Sequence, residues 1–184
     1  SKAIQAAISH LDQTGGGVLY FPSGNYIMTS PIVINNNIRI KGSGKYNSVI
    51  NIKGRITAID LSSKHAKLGV AVESIGIVGT NTKGQIAIDA YYLVNGSYIR
   101  DVRIENVDTG IRLTKSWYSS FSDIYIRNCL SYGLHLRSLS AAEQVNGVRF
   151  SSVFIQGAKN AVFLEGKKGS VGVHFDSSTF STNR

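Results

Sequence analysis

The chain has 184 residues, 42% of them apolar, with only two prolines, which suits one domain with a sizeable buried core and argues against disorder. Twenty Lys and Arg against eleven Asp and Glu give a net charge of +9, which favours an anionic partner such as an acidic glycan, a teichoic acid or nucleic acid. No apolar run approaches the roughly 20 residues of a membrane span, the N-terminus lacks the basic-then-apolar order of a signal peptide, and the single Cys129 excludes an internal disulfide.

In chain order, the first predicted element is a helix. Ser1 to Thr14, SKAIQAAISHLDQT, places Ile4, Ala7, Ile8 and Leu11 on one face, and Gly15 is a natural C-terminal stop. This helix and the glycines to residue 17 form the expected cap, which covers an otherwise unpaired strand edge. Residues 18–184 read as coils. The run Pro22-Ser23-Gly24-Asn25 predicts a tight turn, and KGSGK at Lys41 to Lys45 is a second turn. The latter lacks the spacing and the following helix of a phosphate-binding loop.

From Val72 onward the chain repeats itself. The template apolar-X-(Asp/Ser)-X-X-X-X-(Asn/Gly) appears as VESIGIVG from Val72, IRDVRIEN from Ile99, FSDIYIRN from Phe121, FSSVFIQG from Phe150 and, frayed, FDSSTFST from Phe175. The start-to-start steps are 27, 22, 29 and 25 residues. A shorter element follows each of the first four: IAID from Ile86, IRLT from Ile111, LHLR from Leu134 and VFLE from Val162. Both alternate at period 2, which means strand, and neither is long enough to bury its apolar face alone. Such repeats must stack on one another, and the result is a parallel β-solenoid. The last rung has no predicted cover, so more chain or a partner is expected beyond it.

Stacking assigns directions to side chains. Ile104, Ile126 and Ile155 point inward, whereas Arg103, Tyr125 and Phe154 form one outward row, Glu105, Arg127 and Gln156 a second, and Arg112, His135 and Phe163 a third. Asn106 and Asn128 share a turn position and can ladder with each other. Asp101 and Asp123 share the template's third position with Ser74, Ser152 and Ser177, which suits a bend better than catalysis.

The opening AIQAAISHLDQTGGGVLYFPSGNYIMTSPIVINNNIRIKGSG, Ala3 to Gly44, closely resembles that of the pectate-lyase-like single-stranded right-handed β-helix family: a helix, a GGG-strand-Pro-X-Gly-X-Tyr turn, and a rung ending in Lys/Arg-Gly-X-Gly. The fold this implies is all-β, a right-handed parallel β-helix with a short N-terminal capping α-helix. The family includes polysaccharide lyases and glycoside hydrolases, and its pattern is common in bacteriophage tailspikes and pre-neck appendages. The resemblance therefore implies a glycan-binding and glycan-cleaving protein acting on an anionic cell-surface polysaccharide, extracellular or on a virion, and assembled as a homotrimer. Two other readings stay open: a non-catalytic host-adsorption or spike domain, and a secreted cell-wall-degrading enzyme.

Candidate chemistry follows the rows. A hydrolase needs two carboxyl groups about 5–5.5 Å apart for retention or 6.5–9.5 Å for inversion. Glu105 is the best single candidate, with Asp89 and Glu165 as partners; alternatively Glu105 simply pairs with Arg127 one rung above. A lyase needs a base and a cation that neutralises the uronate carboxylate. Arg103, Arg112, Arg127, Arg137 and His135 could form one basic strip, with the adjacent like charges of Arg112 and His135 calling for an anion between them. A solvated neutral His135 is the plainer alternative. Trp117-Tyr118 and Tyr91-Tyr92 offer stacking platforms for sugar rings or packing surfaces for the coil. Related β-helices sometimes use calcium, but no calcium-ligand spacing appears, so no metal or cofactor is expected. Nor is a nucleic-acid-binding motif or membrane insertion.

Overall fold

The computed structural model describes residues 2–35, 37–62, 66, 68–167 and 171–182. Ser1, the first residue of the predicted helix, and Asn183 and Arg184 at the end of the last rung lie outside the described residues. The helix spans Lys2–Gln13 and buries Ile8, with Ile4, Ala7 and Leu11 packed on the same core. It lies against the strands Gly17–Phe21, Ile32–Val33 and Ile38–Gly42 at one end of the coil. Among the described residues all other regular elements are strands, and every strand pairing is parallel. The molecule is a parallel β-solenoid of about six turns.

Three faces run along it. The first stacks Leu19, Ile40, Val72, Ile99, Phe121, Phe150 and Phe175 in register. The second stacks Tyr26, Ile50, Ile77, Ile104, Ile126, Ile155 and Phe180. The third stacks Ile32, Ile59, Ile88, Ile111, Leu134 and Val162. Most of these side chains are fully buried, so the core is a set of columns in which each residue rests on its counterpart one rung below, about 4.8 Å away. Phe150 sits mid-column on the first face, with ring centroids 4.7 Å from Phe121 and 4.8 Å from Phe175.

The long strands Tyr98–Thr114, Ser120–Ser138 and Val145–Ala158 turn the corners without losing their pairing. Each corner is one left-handed residue at a fixed repeat position. Between the first and second faces these are Ser74, Asp101, Asp123, Ser152 and Ser177, with φ from 47° to 54°. Between the second and third they are Asn106, Asn128 and Gly157, with φ from 55° to 69°, whereas in the preceding coil the left-handed residue is Asn81, two residues beyond the equivalent Gly79. Short polar residues tolerate this conformation, which explains why Ser and Asp, and Asn and Gly, interchange there. The expected asparagine ladder is present: the Asn128 side-chain amide donates to Asn106 Oδ1 at 3.2 Å. Gly42 makes the closest backbone approach, because a Cβ there would lie 2.2 Å from the Ser74 carbonyl oxygen.

Phe150→Ala would open a void between two phenyl rings that cannot collapse without breaking the stacking, so a loss of about 3–5 kcal/mol is expected in urea denaturation followed by circular dichroism. A loss below about 1 kcal/mol would contradict the column description.

Candidate functional site

The corner residues split the sequence-predicted cluster in two. Arg103, Glu105, Tyr125 and Arg127 lie on the second face, in the rows expected for them. There the Arg103 guanidinium is held from three sides: Nη1 donates to Glu105 Oε2 at 2.7 Å, Nε donates to the Lys45 carbonyl at 3.2 Å, and the group lies 4.9 Å from the Tyr46 ring centre. Glu105 thus pairs along its own strand with Arg103, two residues away, and not with Arg127 one rung above. The reason is geometric: residues i and i+2 share a face, and Gly76 leaves beneath Arg103 the space that its guanidinium covers. Arg127 is exposed and makes no ion pair among the described residues. Tyr125 stacks on Phe154 with parallel rings 5.4 Å apart.

The third face gathers the more chemically varied set. Asp60, Asp89, Arg112, His135 and Phe163 occupy one outward row on successive rungs, and Tyr91, Thr114, Arg137 and Glu165 the next. Arg112 Nε donates to Asp89 Oδ1 at 2.9 Å, and its Nη2 donates to Asp89 Oδ2. His135 Nε2 meets Glu165 Oε2 at 3.0 Å, and Arg137 Nε donates to the same oxygen at 3.0 Å. Lys167 lies 3.5 Å from the other Glu165 oxygen. The Tyr132 ring lies 4.5 Å from the imidazole and the Phe163 ring 5.4 Å from it. The side chains of His135 and Glu165 are only 13% and 22% exposed.

The single basic strip expected from the sequence therefore does not form. Arg103 and Arg127 face one way, Arg112, His135 and Arg137 another, and the anions that separate the like charges of the third face are the protein's own Asp89 and Glu165. These two were expected as partners of Glu105; the corner at Asn106 places Glu105 on a different face.

Electrostatics follow from this geometry. Burial pushes the His135 imidazole down from its ordinary value of 6.5, the bond to Glu165 opposes this, and Arg137 and Arg112 reinforce it, so the net direction is downward. For Glu165, burial pushes upward, but Arg137 and His135 outweigh it and hold the carboxyl below its ordinary 4.5. The Asp89 hydrogen bond raises the pKa of the Arg112 guanidinium further. Accordingly Glu165 is a carboxylate and His135 a neutral imidazole near neutrality. With Nε2–H donated to Glu165, the lone pair sits on Nδ1.

The aromatic pairs sit at the edge of this face. Tyr92 and Trp117 meet edge to face at 5.3 Å, and Lys115 Nζ lies 3.9 Å from the Tyr92 ring centre, so these groups pack on one another. The Tyr91 hydroxyl donates to Glu143 at 2.7 Å, which raises its pKa to about 12. Tyr118, in contrast, is 69% exposed. No group of three or more His, Cys, Asp or Glu gathers as a metal site among the described residues, and Asp89 and Glu165 are already bound by Arg and His, so this donor set does not fit calcium.

Two residues of this face escaped the sequence reading. Asp60 belongs to a third-face strand, Thr57–Leu61, that precedes the first recognisable repeat, and Tyr132 follows a register shift between Cys129 and Tyr132 that breaks the template. A search for the apolar alternation of ITAIDL could have found the first.

A parallel β-solenoid with an N-terminal helix and a half-buried charged row is the class these observations define. Residues 1–82 match the family described as rhamnogalacturonase A/epimerase, pectate lyase-like. Among solved structures, ORF18 of Geobacillus virus E2 superposes with a TM-score of 0.85 at 21% identity, over 97% of this chain and 38% of that one. The A-module of a mannuronan C-5 epimerase of Azotobacter vinelandii superposes with a TM-score of 0.55 at 14% identity, over 96% of this chain and 53% of that one. No curated protein sequence matches. The chain shares the parallel β-helix fold of these structures, its first 82 residues are similar to that pectate-lyase-like family, and it spans 38% and 53% of the lengths of the two structural relatives.

The depressed imidazole sets a pH dependence. Between the folded and unfolded pKa values the unfolded state binds the extra proton, so this contribution to stability is present above pH 6.5 and is lost as pH falls below it. An NMR titration of the His135 ring is expected to show a midpoint below 6.5, moving lower still in Glu165→Gln, which removes the opposing anion. A midpoint above 6.5 would contradict the burial argument.

Proposed function

We propose that the chain binds an anionic polysaccharide along its third face and cleaves it by proton abstraction next to a uronate carboxylate. The observation that carries this reading is the neutral His135, oriented by Glu165 and flanked by Arg112 one rung below and Arg137 two residues on. Nδ1 of His135 takes the proton at C5, the electron pair becomes the C4–C5 double bond, and the glycosidic C4–O bond breaks, with the departing oxygen protonated from solvent. Arg112 and Arg137 stabilise the charge that develops on the uronate carboxylate. Asp89 positions Arg112 and would not itself take the proton, since both its oxygens are occupied by the guanidinium.

Exposed Arg127 and half-buried Tyr125 on the second face suit contacts with more distant sugars or with a neighbouring subunit. The similarity to a virus protein and to a polysaccharide-modifying enzyme supports a carbohydrate-active protein, extracellular or virion-borne. A homotrimer is part of the same proposal. A hydrolase is the second reading, and one observation favours it: Asp60 and Asp89 are in-register neighbours, which brings two carboxylates onto adjacent rungs about 4.8 Å apart.

The test is incubation with pectate, alginate and acidic bacterial capsular polysaccharides, following both the ultraviolet absorbance of unsaturated products and the appearance of reducing ends. Unsaturated product, reduced roughly 10²–10⁴-fold in His135→Ala, is expected. Reducing ends without unsaturation would transfer the chemistry to Asp60 and Asp89. Binding without either product would leave an adsorption module.

A further inference from the structure

The first face carries a concavity that the third-face chemistry does not use. It encloses about 510 Å³, within the range of ligand sites, and is lined by Tyr118, Asn146, Gly147, Arg149, Gly172 and His174 together with two valines. Three features set it apart from an ordinary gap between loops.

The first is charge. Arg149 and His174 are in-register neighbours on adjacent rungs, both exposed, and no carboxylate lines the cavity among the described residues. This differs from the third face, where Asp89 and Glu165 lie between the cations. A guanidinium and an imidazole placed side by side without an internal anion leave donors that an external anion can satisfy.

The second is the presentation of Tyr118. It is a bulky residue at a positive φ of 53°, as Tyr92 and Lys115 also are, but its ring is 69% exposed. A sparsely populated backbone conformation persists only where surrounding contacts hold it. Here the Tyr118 amide donates to the Asn146 carbonyl at 3.2 Å, and the ring closes on Gly147 so tightly that a Cβ at 147 would lie 2.7 Å from it. Gly147 itself has a φ of 64°. The loop therefore spends strain and a glycine to hold an aromatic ring outward over the cavity.

The third is the floor. Gly172 leaves open the place that the Asn146 side chain occupies, since a Cβ at 172 would lie 2.3 Å from Asn146 Oδ1. The Asn146 amide is thus placed at the cavity with both a donor and an acceptor.

We infer that this cavity is a binding subsite for an acidic sugar residue, with its ring on Tyr118, its acid group at Arg149 and His174, and a hydroxyl at Asn146. An aromatic platform, two cationic or donor groups and one amide match a saccharide that is apolar on its C–H face, anionic at one end and hydroxylated between. The subsite holds no base-and-carboxylate pair, so it binds without cleaving, and it stands whether or not the third face has the chemistry proposed for it.

Trp117, the chain's sole tryptophan, adjoins Tyr118 and is the in-register neighbour of Asn146, which makes its fluorescence a local reporter. The full chain is titrated with oligogalacturonate, oligoalginate and heparin-derived oligosaccharides, with a cello-oligosaccharide as neutral control, and each result is repeated by equilibrium dialysis. At least one acidic oligosaccharide is expected to give a saturable change, and the neutral one none. Tyr118→Ala and Arg149→Ala, each folded by circular dichroism, are expected to weaken that binding roughly tenfold. In Arg112→Ala, where the third face is disabled, a saturable change is expected to persist and to be weakened further by adding Tyr118→Ala, which keeps the two sites separable. The inference is overturned if no acidic oligosaccharide binds, or if the Tyr118 and Arg149 variants bind like the parent.

Discussion

Parallel, in-register hydrogen bonding between successive coils is the constraint from which the rest of the molecule follows. Every strand must find, about 4.8 Å above and below it, a backbone of the same direction and length. A corner that turns at one residue in one coil must turn at the equivalent residue in the next. That is why Asp101, Asp123 and Ser152 share one left-handed conformation, why Asn106 and Asn128 share another, and why the buried positions form columns of Ile, Leu and Phe. The helix Lys2–Gln13 satisfies the same constraint at its end by covering an edge that has no strand to pair with.

The same stacking makes a charged surface expensive unless its signs alternate. On the third face they do: Asp89 precedes Arg112, and Glu165 holds His135 and Arg137 together, so a chain with a net charge of +9 carries a row that is largely neutralised from within. Neutralisation and half-burial together produce the chemically useful result, a neutral imidazole with one nitrogen fixed by a carboxylate. Arg127 of the second face and Arg149 of the first, in contrast, make no ion pair among the described residues.

Much of this was legible in the sequence, because a solenoid writes its register as a repeat. The inward isoleucines, the three outward rows, the asparagine ladder and the capping helix all follow from period-2 alternation combined with a fixed step. What escaped is what the repeat does not encode. Lateral choices, such as Arg103 taking Glu105 along the strand, depend on the space left by Gly76. Asp60 lay in a strand preceding the first clear template, and Tyr132 followed a bulge that shifts the register. The approach of Tyr118 to Gly147 joins residues far apart in sequence through loop geometry alone.

The central claim is that the third face, and not the second, meets the uronate whose proton is removed. Its most direct test is a two-dimensional NMR titration of His135→Ala, which binds without turnover, using an acidic oligosaccharide substrate of the parent protein. The account predicts perturbations on Arg112, Tyr132, Arg137 and Glu165, beside those at the first-face subsite. Perturbations confined to Arg103, Glu105, Tyr125 and Arg127, with the third face silent, would contradict it.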